Sequence, residues 1–84
     1  MKREKVYEAI DSERDYQDSK WKDLNDSYNK PADWALYIER HLGIMKEKIY
    51  KGDAYGTQEQ MRKIAALCVA AGECLGMQNR LKVG

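Results

Sequence analysis

The chain has 84 residues and a formal net charge of +1, and charged residues make up 35% of it. This length suits a single domain over 1–84. In so small a chain, the free energy gained by burying apolar surface only about offsets the entropy cost of ordering the residues, so we expect a homo-oligomer. The charges are mixed in sign and include no basic block that could follow a phosphate backbone, which disfavours general nucleic-acid binding.

Residues 3 to about 22 have the periodicity of a first helix. One face of it carries Val6, Ile10, Arg14, Gln17 and Trp21. Arg14 and Gln17 interrupt this apolar stripe, and buried polar groups need partners, so each either bonds to an acid on another helix or faces a pocket. A second stripe is acidic, and we interpret it as a solvated face instead of a metal site because stacked carboxylates repel one another. Its members are Glu4, Glu8, Asp11, Asp15 and Asp18.

Turn-forming residues predict a loop over 22–30, after which Pro31 suits the first position of a second helix over about 31–51. The expected inner face of this helix comprises Trp34, Tyr37, Ile38, His41, Leu42, Met45 and Ile49. His41 lies in the middle of that face, where a lone histidine is more often a hydrogen-bonded core residue than a ligand. The connection over 52–56 is short, so the second and third helices should be antiparallel neighbours.

The stretch over 57–77 predicts the central helix of an all-α protein with three main helices in a small compact bundle. Thr57 and Gln60 form a capping-box pattern at its start. The helix is apolar nearly all round, which indicates burial on several sides, against a partner chain as well. Gly72 costs roughly 1 kcal/mol relative to alanine, so we expect neighbouring helices to pack closely there. The apolar run is too short to span a bilayer.

Cys68 and Cys74 are too far apart on one helix for a disulfide and lack the spacing of a zinc site, so we expect structural thiols. Reduced cysteines without a signal-peptide pattern indicate a cytoplasmic setting. No phosphate-binding loop or nucleophile motif is present, which leaves nucleophilic catalysis without support. The tail after Arg80 should be frayed.

Three segments occur in a recognisable order: ERDYQDSKW (13–21), PADWALYIERHLG (31–43) and MRKIAALCVAAGE (61–73). Together they resemble a group of short bacteriophage proteins described as MazG-like, which are related to the all-α nucleotide pyrophosphohydrolases. The resemblance implies helical subunits that assemble into dimers or tetramers in the host cytoplasm. In that wider family, acids on two helices hold Mg²⁺, and the metal activates water against a nucleoside triphosphate.

The chain departs from this family at the acids. When Gly43 is aligned with the family's glycine, His41 and Ile44 stand where two acids belong on the second helix. Gln60 and Lys63 occupy the corresponding positions on the third helix. No metal ligand can be carried over, so we expect no metal and no cofactor, and the absence of the acids argues against an enzyme.

These substitutions replace acids that bind a cation by basic side chains, so the site itself becomes positively charged. Lysine suits phosphate, arginine adds forked contacts, and aromatic rings can stack on a base. The candidate ligand-binding residues are Arg14, Gln17, Trp21, Trp34, Tyr37, His41, Arg62 and Lys63. The first hypothesis is therefore a non-catalytic phage protein that sequesters a nucleotide, such as a host signal for antiviral defence.

Two alternative functions stay open. The chain could bind and inhibit or scaffold a host protein through exposed tyrosines such as Tyr16, Tyr28 and Tyr55. It could also be a Mg²⁺-dependent nucleoside triphosphate pyrophosphohydrolase that uses the acidic stripe of the first helix or a shifted set of acids.

Each candidate residue also has a purely structural explanation. The aromatic residues would then belong to the core, and the aliphatic stem of Lys63 would cover apolar surface. Arg14 and Arg62 would pair with Glu39 or Glu73.

Overall fold

A computed structural model describes residues 1–21 and 29–81. They form three α-helices, with no strand in these ranges: α1 is Arg3–Trp21, α2 is Pro31–Tyr50 and α3 is Ala54–Leu75. The prediction of an all-α bundle with three main helices is confirmed. Most of the predicted loop (22–28) and the end of the predicted frayed tail (82–84) lie outside the described residues.

Helix α3 is the element against which both other helices pack. Trp34 of α2 and Leu67 and Ala70 of α3 form the buried apolar cluster, and Trp21 of α1 packs against it. The connection between α2 and α3 spans only 51–53, so these helices run antiparallel, as predicted. The described helices are not long and apolar enough for any of them to cross a membrane.

The start of α2 follows the sequence prediction. Pro31 is the first helical residue, where its missing N–H is not needed. Two residues later, Asp33 accepts a hydrogen bond through Oδ2 from the backbone N–H of Lys30, at 2.7 Å. The carboxylate also lies in the first turn, where the helix dipole favours negative charge.

The start of α3 differs from the prediction. Asp53 is the N-cap residue, and its Oδ1 accepts from the backbone N–H of Gly56 at 2.8 Å. Thr57 lies inside the first turn, where its hydroxyl donates to the Asp53 carbonyl oxygen at 2.8 Å. The predicted capping box is therefore wrong: Asp53 is an equally good cap one turn earlier, and Gln60 bonds to His41 instead.

Replacing Asp53 by alanine should lower the free energy of unfolding by about 1 kcal/mol, because a backbone donor of α3 loses its acceptor. Urea denaturation followed by circular dichroism measures this loss. Asp53→Asn is the matched control, since it keeps an oxygen for the cap and removes only the charge that faces Lys48, 3.7 Å away. Equal losses in the two variants would assign the effect to the ion pair and not to the cap.

The burial of α3 is less complete than its composition predicts. Met61, Val69 and Leu75 remain 43–55% exposed in the single chain. Within the single chain, α1 and α2 both pack on the opposite side of α3, so the expected burial against a partner chain stays a prediction. A side chain at Gly72 would meet Met77 at 3.3 Å, so the close contact there is with the segment after α3 and not with a neighbouring helix.

The inner face of α2 is also narrower than predicted. Trp34 is buried and Ile38, His41, Met45 are half-buried, whereas three other members of the expected face are exposed. These are Tyr37, Leu42 and Ile49. The predicted inner face of α2 is therefore wider than the surface of α2 that α3 covers.

Candidate functional site

A cavity of about 400 Å³ lies where the end of α1 approaches α2. Its volume falls within the range of small-molecule sites, which is roughly 300–1,000 Å³. We call it the aromatic cavity. It is lined by Lys20, Trp21, Asn29, Trp34, Tyr37, Arg40, His41 and Leu67.

Three aromatic rings shape this cavity. Trp34 and Tyr37 meet edge to face, with ring centroids 5.9 Å apart and planes at 88°. Trp34 is only 3% exposed, and its indole N–H has no hydrogen-bond partner among the described residues. Tyr37 is exposed and Trp21 is half-buried. A flat ligand would therefore find open ring surface on Trp21 and Tyr37, with Trp34 as the buried wall.

Two cations line the same cavity. Lys20 lies in the last turn of α1, and Arg40 lies one turn after Tyr37 on α2. Both are exposed, and within 1–21 and 29–81 neither has a carboxylate within ion-pair distance. Two cations without a counter-charge among the described residues are suited to an anionic ligand.

His41 joins this cavity to α3. Its Nδ1 lies 2.8 Å from Oε1 of Gln60, which is buried. A carbonyl oxygen can only accept, so in this arrangement Nδ1 carries the proton and donates. The other ring nitrogen, Nε2, is then an acceptor in the neutral imidazole. The prediction of a hydrogen-bonded histidine holds, and the same ring also lines the cavity.

A second group of charged residues joins α1 to α3. Arg14 Nε donates to Glu73 Oε2 at 2.5 Å, and Arg62 Nε donates to Glu13 Oε1 at 2.7 Å. Arg14 Nη1 also lies 2.8 Å from Asp18 Oδ1, close enough for an ion pair but without the direction of a hydrogen bond. Arg14 thus bonds to an acid on another helix, one of the two alternatives left open by the sequence.

The contacts with acids raise the pKa of both arginines. Burial lowers the pKa of Arg14, but the hydrogen bond and charge of Glu73, with Asp18, outweigh it and leave the pKa raised. The hydrogen bond that Arg62 donates to Glu13 is the main cause of the raised pKa of Arg62. Both side chains therefore remain cations throughout the ordinary pH range, already paired with acids.

Gln17 and Lys63 belong to this α1–α3 contact. Gln17 is buried and donates a long hydrogen bond, 3.5 Å, from Nε2 to the backbone oxygen of Lys63. Its Oε1 has no partner in the described part of the chain. Lys63 Nζ lies 3.3 Å from Glu59 Oε1. A separate polar groove of about 360 Å³ runs along this contact, lined by Ser12, Glu13, Tyr16, Glu59, Arg62 and Lys63.

The eight predicted site residues thus fall into two groups. One group lines the aromatic cavity: Trp21, Trp34, Tyr37 and His41. The other lies at the α1–α3 contact: Arg14, Gln17, Arg62 and Lys63. The sequence interpretation missed four residues of the cavity, namely Lys20, Asn29, Arg40 and Leu67. Arg40 had a usable signal, because it follows Tyr37 by three residues on one helix face.

No protein-family model, curated protein or solved structure matches this chain. The MazG-like resemblance therefore stays a prediction, and the residues themselves carry the functional argument.

The residues do not fit the Mg²⁺ site that the resemblance implies. His41 is hydrogen-bonded to Gln60, and the Glu59 carboxylate is paired with Lys63. Among residues 1–21 and 29–81, no three His, Cys, Asp or Glu side chains form a group that could hold a metal ion. The acidic stripe of α1 is exposed along its whole length, and only Asp18 and Glu8 in it form ion pairs within these ranges.

Proposed function

We propose that this chain binds a nucleotide in the aromatic cavity and holds it without hydrolysing it. One observation carries the proposal: two cations without a described counter-charge, Lys20 and Arg40, line the same cavity as the accessible rings of Trp21 and Tyr37. A nucleotide combines an anionic part with a flat aromatic part, which is the chemistry that this lining complements.

The residues that line the cavity offer a nucleotide two kinds of contact. Stacking of a base on an aromatic side chain is worth about 1–3 kcal/mol, and Trp21 or Tyr37 can supply it. Arg40 can hold two phosphate oxygens in a forked contact, and Lys20 adds a compact charge. Nε2 of His41 can accept a hydrogen bond from a hydroxyl or an amino group of the ligand.

The chemistry of the described lining supports binding without cleavage. Among residues 1–21 and 29–81, no side chain that lines the aromatic cavity carries a carboxylate. The resembled pyrophosphohydrolases rely on acids to hold Mg²⁺ and activate water, and the positions of those acids here carry His41 and Lys63. A positively charged aromatic cavity stabilises a bound phosphate ester more readily than it activates a nucleophile against it.

The proposed biological role is sequestration of a host nucleotide signal by a phage-encoded protein in the host cytoplasm. This role requires only tight binding and release of the ligand intact. It rests on the bacteriophage resemblance together with the cavity.

The test is thermal unfolding against a panel of nucleotides, each with and without Mg²⁺: triphosphates, cyclic mono- and dinucleotides, and NAD-derived compounds. A ligand at 100 times its Kd should stabilise the fold by about 2.7 kcal/mol, which raises Tm by on the order of 10 °C. We expect a shift without Mg²⁺ and intact ligand after the experiment. No shift across the panel would contradict the proposal, and Mg²⁺-dependent release of product would favour the pyrophosphohydrolase.

Paired variants link the shift to the cavity. The double variant Lys20→Gln/Arg40→Gln should weaken binding by roughly tenfold or more, since each lost charge contact to phosphate is worth about 1 kcal/mol or more. Lys46→Gln is the matched control, because it removes one charge from an exposed position of α2 that does not line the cavity. Equal weakening by the control would indicate a general charge effect and contradict the assignment of the site.

The alternative proposal is a partner protein from the host, and exposed aromatic residues favour it. Tyr16 and Tyr55 are 59% and 75% exposed, and tyrosine is enriched at protein interfaces. Tyr28, the third predicted contact residue, lies outside the described residues. A stable complex formed with ligand-free protein, lost in Tyr16→Ala or Tyr55→Ala, would support this alternative.

A further inference from the structure

One side of α2 carries a row of three residues that line the aromatic cavity: Trp34, Tyr37 and His41. Residues three and four apart are neighbours on a helix surface, so the three rings follow one another along α2. Trp34 meets Tyr37 edge to face, and Tyr37 remains 43% exposed, so one face of its ring is accessible. A base stacked on Tyr37 therefore extends with one edge toward His41, one helical turn further along α2.

The two nitrogens of the His41 ring have different surroundings. Nδ1 lies 2.8 Å from Oε1 of Gln60 on α3, and a carbonyl oxygen can only accept, so Nδ1 carries the proton. Within residues 1–21 and 29–81, this is the one hydrogen bond that the ring makes. Nε2 is therefore an acceptor that a ligand in the cavity can use.

Gln60 determines which nitrogen of His41 is protonated. It is only 7% exposed, so water does not readily replace its oxygen as the acceptor for Nδ1. If the proton moved to Nε2, the lone pair of Nδ1 would face the lone pairs of Oε1, and neither atom could donate. The hydrogen bond between α2 and α3 thus maintains Nε2 as an acceptor.

The charged groups around the cavity favour the neutral form of the His41 ring. The other titratable side chains that line the cavity are Lys20, Tyr37 and Arg40, and none of them is a carboxylate. Within 1–21 and 29–81, no acid lies within ion-pair distance of the ring. A second proton on His41 would place a third positive charge beside Lys20 and Arg40, and like charges disfavour one another.

We propose that His41 and Gln60 make the aromatic cavity selective for nucleotides whose base carries an exocyclic amino group. This selectivity rests on the proposed nucleotide-binding function. An amino group donates to Nε2 of His41, whereas a carbonyl oxygen in its place can only accept and leaves Nε2 without a bond. A site that hydrogen-bonds one group of its ligand rejects analogues without that group. His41 contacts the base, and Gln60 is a positioning residue that acts through His41.

The test compares nucleotides that differ by an amino group replaced with a carbonyl oxygen: ATP with ITP, and CTP with UTP. Calorimetric titration of the full chain without Mg²⁺ gives Kd for each of the four. The amino member of at least one pair should bind roughly tenfold more tightly, because one hydrogen bond is gained and a mismatched polar pair is avoided. Equal affinities within both pairs would overturn the selectivity while leaving the proposed nucleotide binding intact.

Variants assign the preference to His41 and Gln60. His41→Phe and Gln60→Leu should each reduce the amino preference to about twofold or less, the first by removing the acceptor and the second by freeing the position of the proton. Gln58→Leu is the matched control, because Gln58 is an exposed glutamine on the same helix that does not line the aromatic cavity. It should keep the wild-type preference. The ratio of the two Kd values is informative because a general loss of structure weakens both members of a pair.

The remaining outcomes are equally decisive. Tighter binding of ITP or UTP would mean that Gln60 donates to His41 through its amide nitrogen, the reverse of the arrangement in the structure, and would overturn the proposal. A preference that survives in folded His41→Phe would also overturn it. Binding of none of the four nucleotides, nor of any other in the wider panel, would contradict the proposed function itself, and the selectivity with it.

Discussion

Replacing Trp34 by alanine is expected to lower the free energy of unfolding by about 3–5 kcal/mol. Trp34 is 3% exposed and joins Leu67 and Ala70 in the one buried apolar cluster of the described chain. Total stability is about 0.05–0.15 kcal/mol per residue, so the loss is a large share of it in a chain this short. Chemical denaturation followed by circular dichroism measures the change, and the variant should be largely unfolded at modest denaturant concentrations.

Two control variants test whether the loss of stability is specific to Trp34. Leu36→Ala removes an exposed apolar side chain from the same helix and should change stability by about 0.5 kcal/mol or less. Trp34→Phe should cost less than Trp34→Ala, because the phenyl ring fills much of the volume and removes an indole N–H that has no described partner. Similar losses in Trp34→Ala and Leu36→Ala would show that Trp34 is not the centre of the core.

Local signals explain how much of the fold the sequence predicts. Pro31 identifies the start of α2 because it suits only a few helical positions, and the number of helices follows from periodicity. The start of α3 was ambiguous, because Asp53 and Thr57 are both good N-cap residues and are separated by one turn. The side chain of Asp53 bonds to Gly56, and a Cβ at position 56 would meet the Lys48 side chain at 2.8 Å, which only the folded structure reveals.

The candidate site was harder to predict, because helix faces do not indicate which helix lies opposite. Arg14 and Glu73 are 59 residues apart, and Glu13 and Arg62 are 49 apart, so no local pattern pairs them. Periodicity placed aromatic and charged candidates on compatible faces and therefore suggested one site. The helices instead divide them between the aromatic cavity and the α1–α3 contact.

The positively charged residues of the two groups have different roles. At the α1–α3 contact, Arg14 and Arg62 are paired with acids. These ion pairs explain why α1 packs against α3 with little apolar surface of its own. In the aromatic cavity, Lys20 and Arg40 have no described acid. Substitutions at the contact should therefore change stability, whereas substitutions of the cavity cations should change ligand binding with little effect on stability.

The contact leads to the second large effect: Arg62→Met should lower the free energy of unfolding by about 2–3 kcal/mol. Removing one partner of a fully buried ion pair costs about 3–5 kcal/mol, and the effect here is smaller because the Arg62 side chain is 36% exposed. The Glu13 carboxylate, only 7% exposed, would remain buried without its counter-charge. Urea denaturation of wild type and variant at neutral pH measures the loss.

Rescue by a second substitution separates charge from packing. Glu13→Gln in the Arg62→Met background removes the isolated buried charge, so the double variant should recover most of the lost stability, and a double-mutant cycle gives the coupling energy. Lys63→Met is the neighbouring control, because its pair with Glu59 on the same helix is partly exposed and worth about 0.5 kcal/mol or less. If Glu13→Gln fails to rescue Arg62→Met, the loss comes from packing of the arginine side chain, and the ion pair does not hold α1 in place.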